Sequence, residues 1–581
     1  MDNVVSEVPK PSTPEPISTF PPDGAVLDGL LHAAEGRLSG GLSPIAQALA
    51  MLDWGVHLAN APFRRGQLAM AALDGAGRLA EAARGDTIIA PSPEDHRFRD
   101  PAWAEPPFHF LSQAFLLTER WWAEATSGPP GVNKGDRRVV SFAVRQWLDM
   151  FSPSNAPWLN PEVLRATRET GGANFLKGAA NFVADARAAV AGQGAAETFR
   201  VGVDLAATPG AVVYRNDLIE LIQYAPTTSE VASEPVLIVP AWIMKYYILD
   251  LQPQDSLIRW LVARGHTVFA ISWRNPTAEF RDLTLDDYRV KGLMAALDVI
   301  GDIRPGAKVQ ACGYCLGGTL LAIGAAAMAR DDDDRLAGVT LFCAQTDFTE
   351  AGELQLFITE DQLAFLDDVM NAQGFLDSGQ MAGAFQFLNS NDLFWSRLIK
   401  SYWLGEREHP SDLMAWNADA TRMPAKMHGE YLRRLFQRNE IAEGRFPVDG
   451  RPIALRDIRA PMFVLGTERD HIAPWRSVHK IHVLTECEIT FVLTSGGHNV
   501  GVVNPPGVAG RHFSILTRAP DAHFLGPDEW LARAERREGS WWIAWADWLA
   551  AHGTGKVAPP KMGSARFPAL EPAPGRYVQE H

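Results

Sequence analysis

Between residues 235 and 494 six short runs rich in β-branched and aromatic residues alternate with segments of helical periodicity. The runs are PVLIVP (235–240), HTVFAIS (266–272), KVQACGY (308–314), GVTLFCA (338–344), PMFVLGT (461–467) and CEITFVLT (487–494). Such alternation restricts the chain to an α/β fold, a mostly parallel sheet with helices on both faces, because parallel neighbours need crossover connections that cover the sheet. One crossover is far longer than the rest. It is rich in Phe, Trp and Leu and reads as helices over 361–375 and 392–405. An insertion there lies over the C-terminal ends of the strands, where α/β sheets bind ligands, and is expected to be a helical cap spanning about 346–450.

The uncharged run 309–329 is long enough to suggest a membrane helix, but Gly313, Gly317 and Gly318 interrupt it. A buried strand turning into a buried helix is the better reading. The first residues have neither a basic nor an apolar leader region, so a cytoplasmic protein is expected. The balance of 54 Lys+Arg against 69 Asp+Glu, net −15, argues against a nucleic-acid partner. Four cysteines in 581 residues exclude a disulfide-stapled scaffold. Residues 1–24 form a proline-rich segment expected to be disordered. An α-helical N-terminal domain is expected over 25–204 and an α/β catalytic domain over 205–581, with 555–581 an irregular surface tail.

Gly313-Tyr314-Cys315-Leu316-Gly317-Gly318 falls directly after a strand and before a helix. G-x-Cys-x-G in that setting is a nucleophile elbow: the strand turns so sharply that a Cβ at the flanking positions collides, and the sulfur of Cys315 projects at a helix N-terminus. The backbone N–H of Leu316 then becomes an oxyanion donor, and the N–H of Trp242, in the loop after the first run, is the candidate for a second. Cys312 and Cys315 also spell C-x-x-C, but Cys312 lies inside an apolar strand, and no second Cys/His pair at matched spacing exists for zinc. Cys343 and Cys487 read as buried thiols.

The α/β-hydrolase order is nucleophile, acid, histidine. Asp470 follows the fifth run and His498, flanked by Gly496 and Gly497, follows the sixth, so both belong at strand C-termini. Glu468 and Asp457 are rival acids whose ordinary role is surface solvation. His471 adjoins the acid, and His479 and His482 read as solvated helix positions. The fold class is therefore an α/β-hydrolase core with a helical cap insertion and a helical N-terminal domain.

From about His96 to Val578 the chain resembles the polyhydroxyalkanoate synthases, which polymerise hydroxyacyl-CoA thioesters into storage polyester. The resemblance rests on stretches at 151–174, 208–224, 245–253, 271–276, 313–319, 391–405, 470–475 and 495–506. Length and the helical N-terminal part are similar to the single-subunit class I and II enzymes. The resemblance implies Cys315 as the acyl-accepting nucleophile, Asp470 and His498 as its triad partners, and Asp250 as a structural acid near the site. It implies an (R)-3-hydroxyacyl-CoA substrate, a growing polyester chain, a homodimer associated with the polymer granule, and no cofactor, metal or transmembrane segment. The extension before residue 96 and cap segments such as MHGEYLRRLF (427–436) depart from the family pattern. A thioesterase or polyester depolymerase on the same fold is the alternative activity, and a non-catalytic granule-coating paralogue is a third reading.

Overall fold

The computed structural model describes residues 42–580 apart from 93–94, 191–197, 378, 381–393, 408–409 and 521, together with a few positions between 28 and 39. The proline-rich 1–24 segment lies outside the described residues. Six long helices come first: α1 (Pro44–Ala59), α2 (Pro62–Ala82), α3 (Phe108–Thr126), α4 (Lys134–Met150), α5 (Pro161–Thr170) and α6 (Ala173–Val190). Their starts carry local signals. Ser43 and Asn133 accept hydrogen bonds from the first-turn amides of α1 and α4, and proline opens α1, α2 and α5.

An eleven-stranded sheet follows, with strands β1 (Gly210–Arg215), β2 (Ile219–Tyr224), β3 (Val236–Val239), β4 (Val268–Trp273), β5 (Val309–Tyr314), β6 (Leu336–Phe342), β7 (Met462–Thr467), β8 (Ile489–Thr494), β9 (His512–Arg518), β10 (Glu535–Glu538) and β11 (Glu571–Pro572). Their spatial order is β10-β9-β8-β7-β6-β5-β3-β4-β2-β1-β11. The central strands β4, β3, β5, β6, β7 and β8 are parallel, and they coincide with the six runs that open the chain's α/β part. The flanking strands are antiparallel. Burial explains the difference in legibility. Strands β3, β4, β5, β7 and β8 are buried at every position, so they read as unbroken apolar runs, whereas β10 is four exposed charged residues.

The uncharged run 309–329 is β5 followed by helix α7 (Leu316–Arg330), nearly all of it buried. Among the described residues no helix is long and apolar enough to cross a membrane. A late helix, α8 (Trp541–Ala551), brings four tryptophans against the sheet, and their indoles are anchors: Trp541 and Trp542 donate to the carbonyls of Gly501 and Val502 at 2.9 and 3.0 Å, and Trp545 donates to Thr340 Oγ1 at 3.0 Å. The tryptophans of this helix therefore serve packing and hold the loop that follows β8.

The 555–581 segment departs from the expected irregular surface tail. It supplies the edge strand β11 against β1, buries Tyr577 and Val578, and its carbonyls at Tyr577 and Glu580 accept hydrogen bonds from the buried Lys245 ammonium at 3.3 and 2.5 Å. Glu220, fully buried on β2, accepts from the backbone amides of Arg576 and Tyr577, both at 3.0 Å.

Candidate active site

Cys315 sits at the junction of β5 and α7 with φ 52° and ψ −123°, a conformation a non-glycine residue adopts only when its surroundings impose it. Three features impose it here. The Cys315 amide donates to the Phe342 carbonyl at 2.9 Å, and its own carbonyl accepts from Gly318 and Thr319. A Cβ on Gly313 would overlap the backbone of Gly318. One on Gly317 would overlap the carbonyl oxygens of Val239 and Pro240, so the start of α7 lies directly against the loop leading to Trp242. Leu316 is the first residue of α7, and its amide has no partner within the helix. The Trp242 side chain is buried between Tyr288 and Tyr431, and its carbonyl accepts a hydrogen bond from Thr421.

Asp470 follows β7 and is buried. Its Oδ1 accepts from the Ile472 and Ala473 amides at 2.9 and 2.8 Å, and its Oδ2 accepts from Thr467 Oγ1 at 3.1 Å. That same Oδ2 lies 2.8 Å from Nδ1 of His498, which follows β8 and is 9% exposed. Burial on its own pushes the His498 imidazole down. The charges of Asp470 and Cys315 outweigh it and hold the imidazole well above its ordinary range. Three residues from three strand ends are thus brought to one point.

A fourth group joins them. Cys343, one residue past β6 with φ 49°, places its sulfur within a cluster in which the Asp470 and His498 ligand atoms all lie within 4.8 Å of one another. Burial, followed by the charges of Asp470 and Cys315, pushes the Cys343 thiol far above its usual range. The reading of Cys343 as a buried thiol agrees with its 1% exposure, but its place beside the carboxylate was invisible from the run GVTLFCA.

The remaining candidates lie apart from this cluster. Asp250 is fully buried and accepts from Thr208 Oγ1 at 2.5 Å and Ser256 Oγ at 2.6 Å, and burial raises its carboxyl to about 6. Glu468 pairs with His512 at 3.0 Å, and His471 is exposed. His479 and His482 are not solvated: both are buried, their rings 4.5 Å apart and packed on Phe491.

Over Cys315 lies a partly open, overwhelmingly apolar cavity of ≈ 100 Å³. Its floor is Cys315, Leu316, Thr319 and Cys343, and much of its roof comes from the insertion between β6 and β7, including Phe348, Ile358, Leu366, Tyr431 and Phe436. The segment MHGEYLRRLF thus supplies cavity wall. So does Leu42, from the N-terminal extension, where the Ser43 amide donates to Gln362 of the cap at 2.8 Å.

A half-buried thiol on a strand–helix elbow, an imidazole fixed by a carboxylate and a capped apolar cavity define an α/β-hydrolase-fold enzyme equipped for acyl transfer. The α/β hydrolase fold family model matches residues 234–505. Ahead of it, models described as Poly-beta-hydroxybutyrate polymerase N terminal and Poly-beta-hydroxybutyrate polymerase (PhaC) N-terminus match residues 23–64 and 94–261. The chain is 40% identical over 499 residues to the poly(3-hydroxyalkanoate) polymerase of Methylorubrum extorquens, covering 85% of this chain and 82% of that one. It is 39% identical over 500 residues to the polymerase subunit PhaC of Rhizobium etli (85% and 78% covered). With the corresponding subunit of Cupriavidus necator the identity is 37% over 493 residues (84% and 83% covered). The chain belongs to the poly(3-hydroxyalkanoate) polymerase family.

Proposed function

We propose that this chain polymerises (R)-3-hydroxyacyl-CoA into polyhydroxyalkanoate with release of CoA, through an acyl group carried on Cys315. The observation that carries the reading is the strained Cys315 at the elbow, its charge acting on an imidazole that Asp470 holds at 2.8 Å. A free thiol titrates near 8.5, so a partner that takes its proton is needed at neutral pH. His498 takes the Cys315 proton, and the sulfur attacks the thioester carbonyl. The tetrahedral oxyanion is held by the Leu316 amide and by Trp242 in the adjoining loop, each such donor being worth about 10²–10³-fold. Collapse breaks the carbon–sulfur bond to CoA, and the imidazolium returns its proton to the departing CoA sulfur. One thioester replaces another, so little energy is lost. His498 next removes the proton from the 3-hydroxyl of a second acyl unit, whose oxygen attacks the Cys315 thioester carbonyl. The carbon–sulfur bond to Cys315 breaks, the imidazolium returns the proton to the Cys315 sulfur, and the chain is one ester longer. Asp470 fixes the imidazole tautomer throughout. Asp250 acts as a structural acid, tying the loop after β3 to Ser256 and Thr208.

The apolar cavity supports polymerisation over hydrolysis, because a cap that excludes water leaves the hydroxyl of another acyl unit as the available nucleophile. We place the catalytic unit at 205–581 behind a helical 25–204 domain, and assign the protein to the cytoplasm at the polymer granule, as a homodimer. Four unpaired cysteines agree with a reducing compartment. The outer faces of the N-terminal helices expose Leu52, Phe63, Met70, Leu73 and Leu176, with Phe63 90% exposed, which suits contact with an apolar polyester surface.

The deciding experiment incubates purified protein with (R)-3-hydroxybutyryl-CoA and follows both thiol release and acyl fate. Polymer accumulating with CoA supports the reading, and free 3-hydroxybutyrate as the sole product overturns it in favour of a thioesterase. Cys315→Ala is expected to abolish CoA release while leaving the circular dichroism spectrum unchanged.

A further inference from the structure

The cavity over Cys315 is apolar almost throughout, and most of its polar lining is already engaged. Thr319 Oγ1 donates to the Gln345 carbonyl at 2.8 Å, and the Gln380 carboxamide oxygen accepts from Gln373 and Asp377. Gln362 receives the Ser43 amide. Two side chains of the lining are different. Gln345 is 6% exposed and its Nε2 has no hydrogen-bond partner among the described residues; His428 is 2% exposed and its Nδ1 has none among them either. Buried polar atoms are nearly always paired, so two orphans lining one small cavity point to an absent ligand that carries hydrogen-bonding groups.

Their chemistry is complementary. A carboxamide nitrogen only donates. Burial pushes the His428 imidazole down to about 3, so it is neutral, and in the Nε2–H tautomer its Nδ1 accepts. The two come from different elements of the cavity lining: Gln345 from the chain just beyond β6, with its backbone pinned by Thr319, and His428 from the cap helix Ala425–Tyr431, its ring against Tyr431. A donor and an acceptor in one small chamber are what a single hydroxyl can satisfy, since it accepts through its oxygen and donates through its hydrogen.

Resting on the activity assigned above, we propose that Gln345 and His428 recognise the 3-hydroxyl of the acyl group bound at Cys315, with Gln345 Nε2 donating to the hydroxyl oxygen and His428 Nδ1 accepting its hydrogen. The pair makes the site selective for hydroxyacyl over plain acyl thioesters, because an acyl group without the hydroxyl leaves both side chains unpaired.

The test compares single-turnover CoA release from (R)-3-hydroxybutyryl-CoA and from butyryl-CoA in wild type, Gln345→Leu and His428→Leu, each checked for folding by circular dichroism. Wild type is expected to prefer the hydroxylated thioester, and each folded variant to lower that preference by about 10- to 100-fold. The proposal is overturned if wild type is acylated equally well by both thioesters. It is also overturned if the variants slow both substrates together and leave the ratio unchanged, the mark of a packing role. The wild-type comparison decides even if neither variant folds. Failure of wild type to release CoA from either thioester would instead sink the polymerase reading itself.

Discussion

The Tyr314 hydroxyl donates a 2.6 Å hydrogen bond to the Asn499 carboxamide oxygen, joining the residue before Cys315 to the residue after His498. The Tyr314 ring also lies against the His498 imidazole, centroids 5.5 Å apart. The elbow and the loop after β8 come from distant parts of the chain, so this bond sets the distance between sulfur and imidazole. Tyr314→Phe keeps the ring and removes the bond. We expect kcat to fall about 10-fold with KM nearly unchanged, because the loss affects proton transfer rather than substrate binding. Steady-state kinetics on the variant check this, and an equal change in both parameters would mean the bond merely supports packing.

Gly317 tests the elbow from the other side. Its missing side chain lets α7 touch the Val239 and Pro240 carbonyls, and even a methyl group there would displace the loop bearing Trp242. Gly317→Ala is expected to cost several kcal/mol and to lower CoA release at least 100-fold in whatever folds. Soluble yield and acylation rate read the two effects separately.

The N-terminal extension reaches the cap. Leu42 lines the cavity, the Ser43 amide holds Gln362, and His32 pairs with Asp368 at 2.7 Å. Removing residues 1–43 opens one wall, so a larger share of acyl groups should leave as free 3-hydroxyacid. Chromatographic analysis of acid against polymer gives that share, and an unchanged ratio would show that the cap keeps water out unaided.

The buried His479–His482 pair makes stability depend on pH. Burial, with Arg476 and Arg518 near His479 and with His479 and Arg518 near His482, depresses the folded imidazoles to about 4 and about 3. In the unfolded chain both titrate near 6.5. Their contribution is therefore complete above pH 6.5 and is lost as pH falls towards 4, by about 1 kcal/mol for each ring by pH 5.5. The thermal midpoint should drop between pH 6.5 and 5, and His482→Phe, which suits the neighbouring Phe491, should reduce the drop. Parallel curves for variant and wild type would refute this account.

What the sequence revealed follows from how far each signal reaches along the chain. The central strands and the elbow are local: a buried parallel strand is a continuous apolar run, and a sharp turn demands Gly313 and Gly317 within a few residues. Asp470 and His498 are legible because each directly follows such a run. The edges are not. Strand β10 is entirely charged and β11 ends on a proline, so neither carries a hydrophobic pattern. The buried state of His479 depends on Trp530 and Phe524, which arrive from later in the chain. The polar pair in the cavity is hidden for the same reason, since nothing in AQTDF or MHGEY reveals that Gln345 and His428 line one chamber.

Lys245 closes the account of the loop after β3. Its buried ammonium, three residues beyond Trp242, finds its hydrogen bonds in the carbonyls of Tyr577 and Glu580. Without those two carbonyls a cation this deeply covered would have to move out towards water and take its loop with it. Loss of residues 571–580 is therefore expected to loosen the loop that carries Trp242 while leaving Cys315, Asp470 and His498 in place.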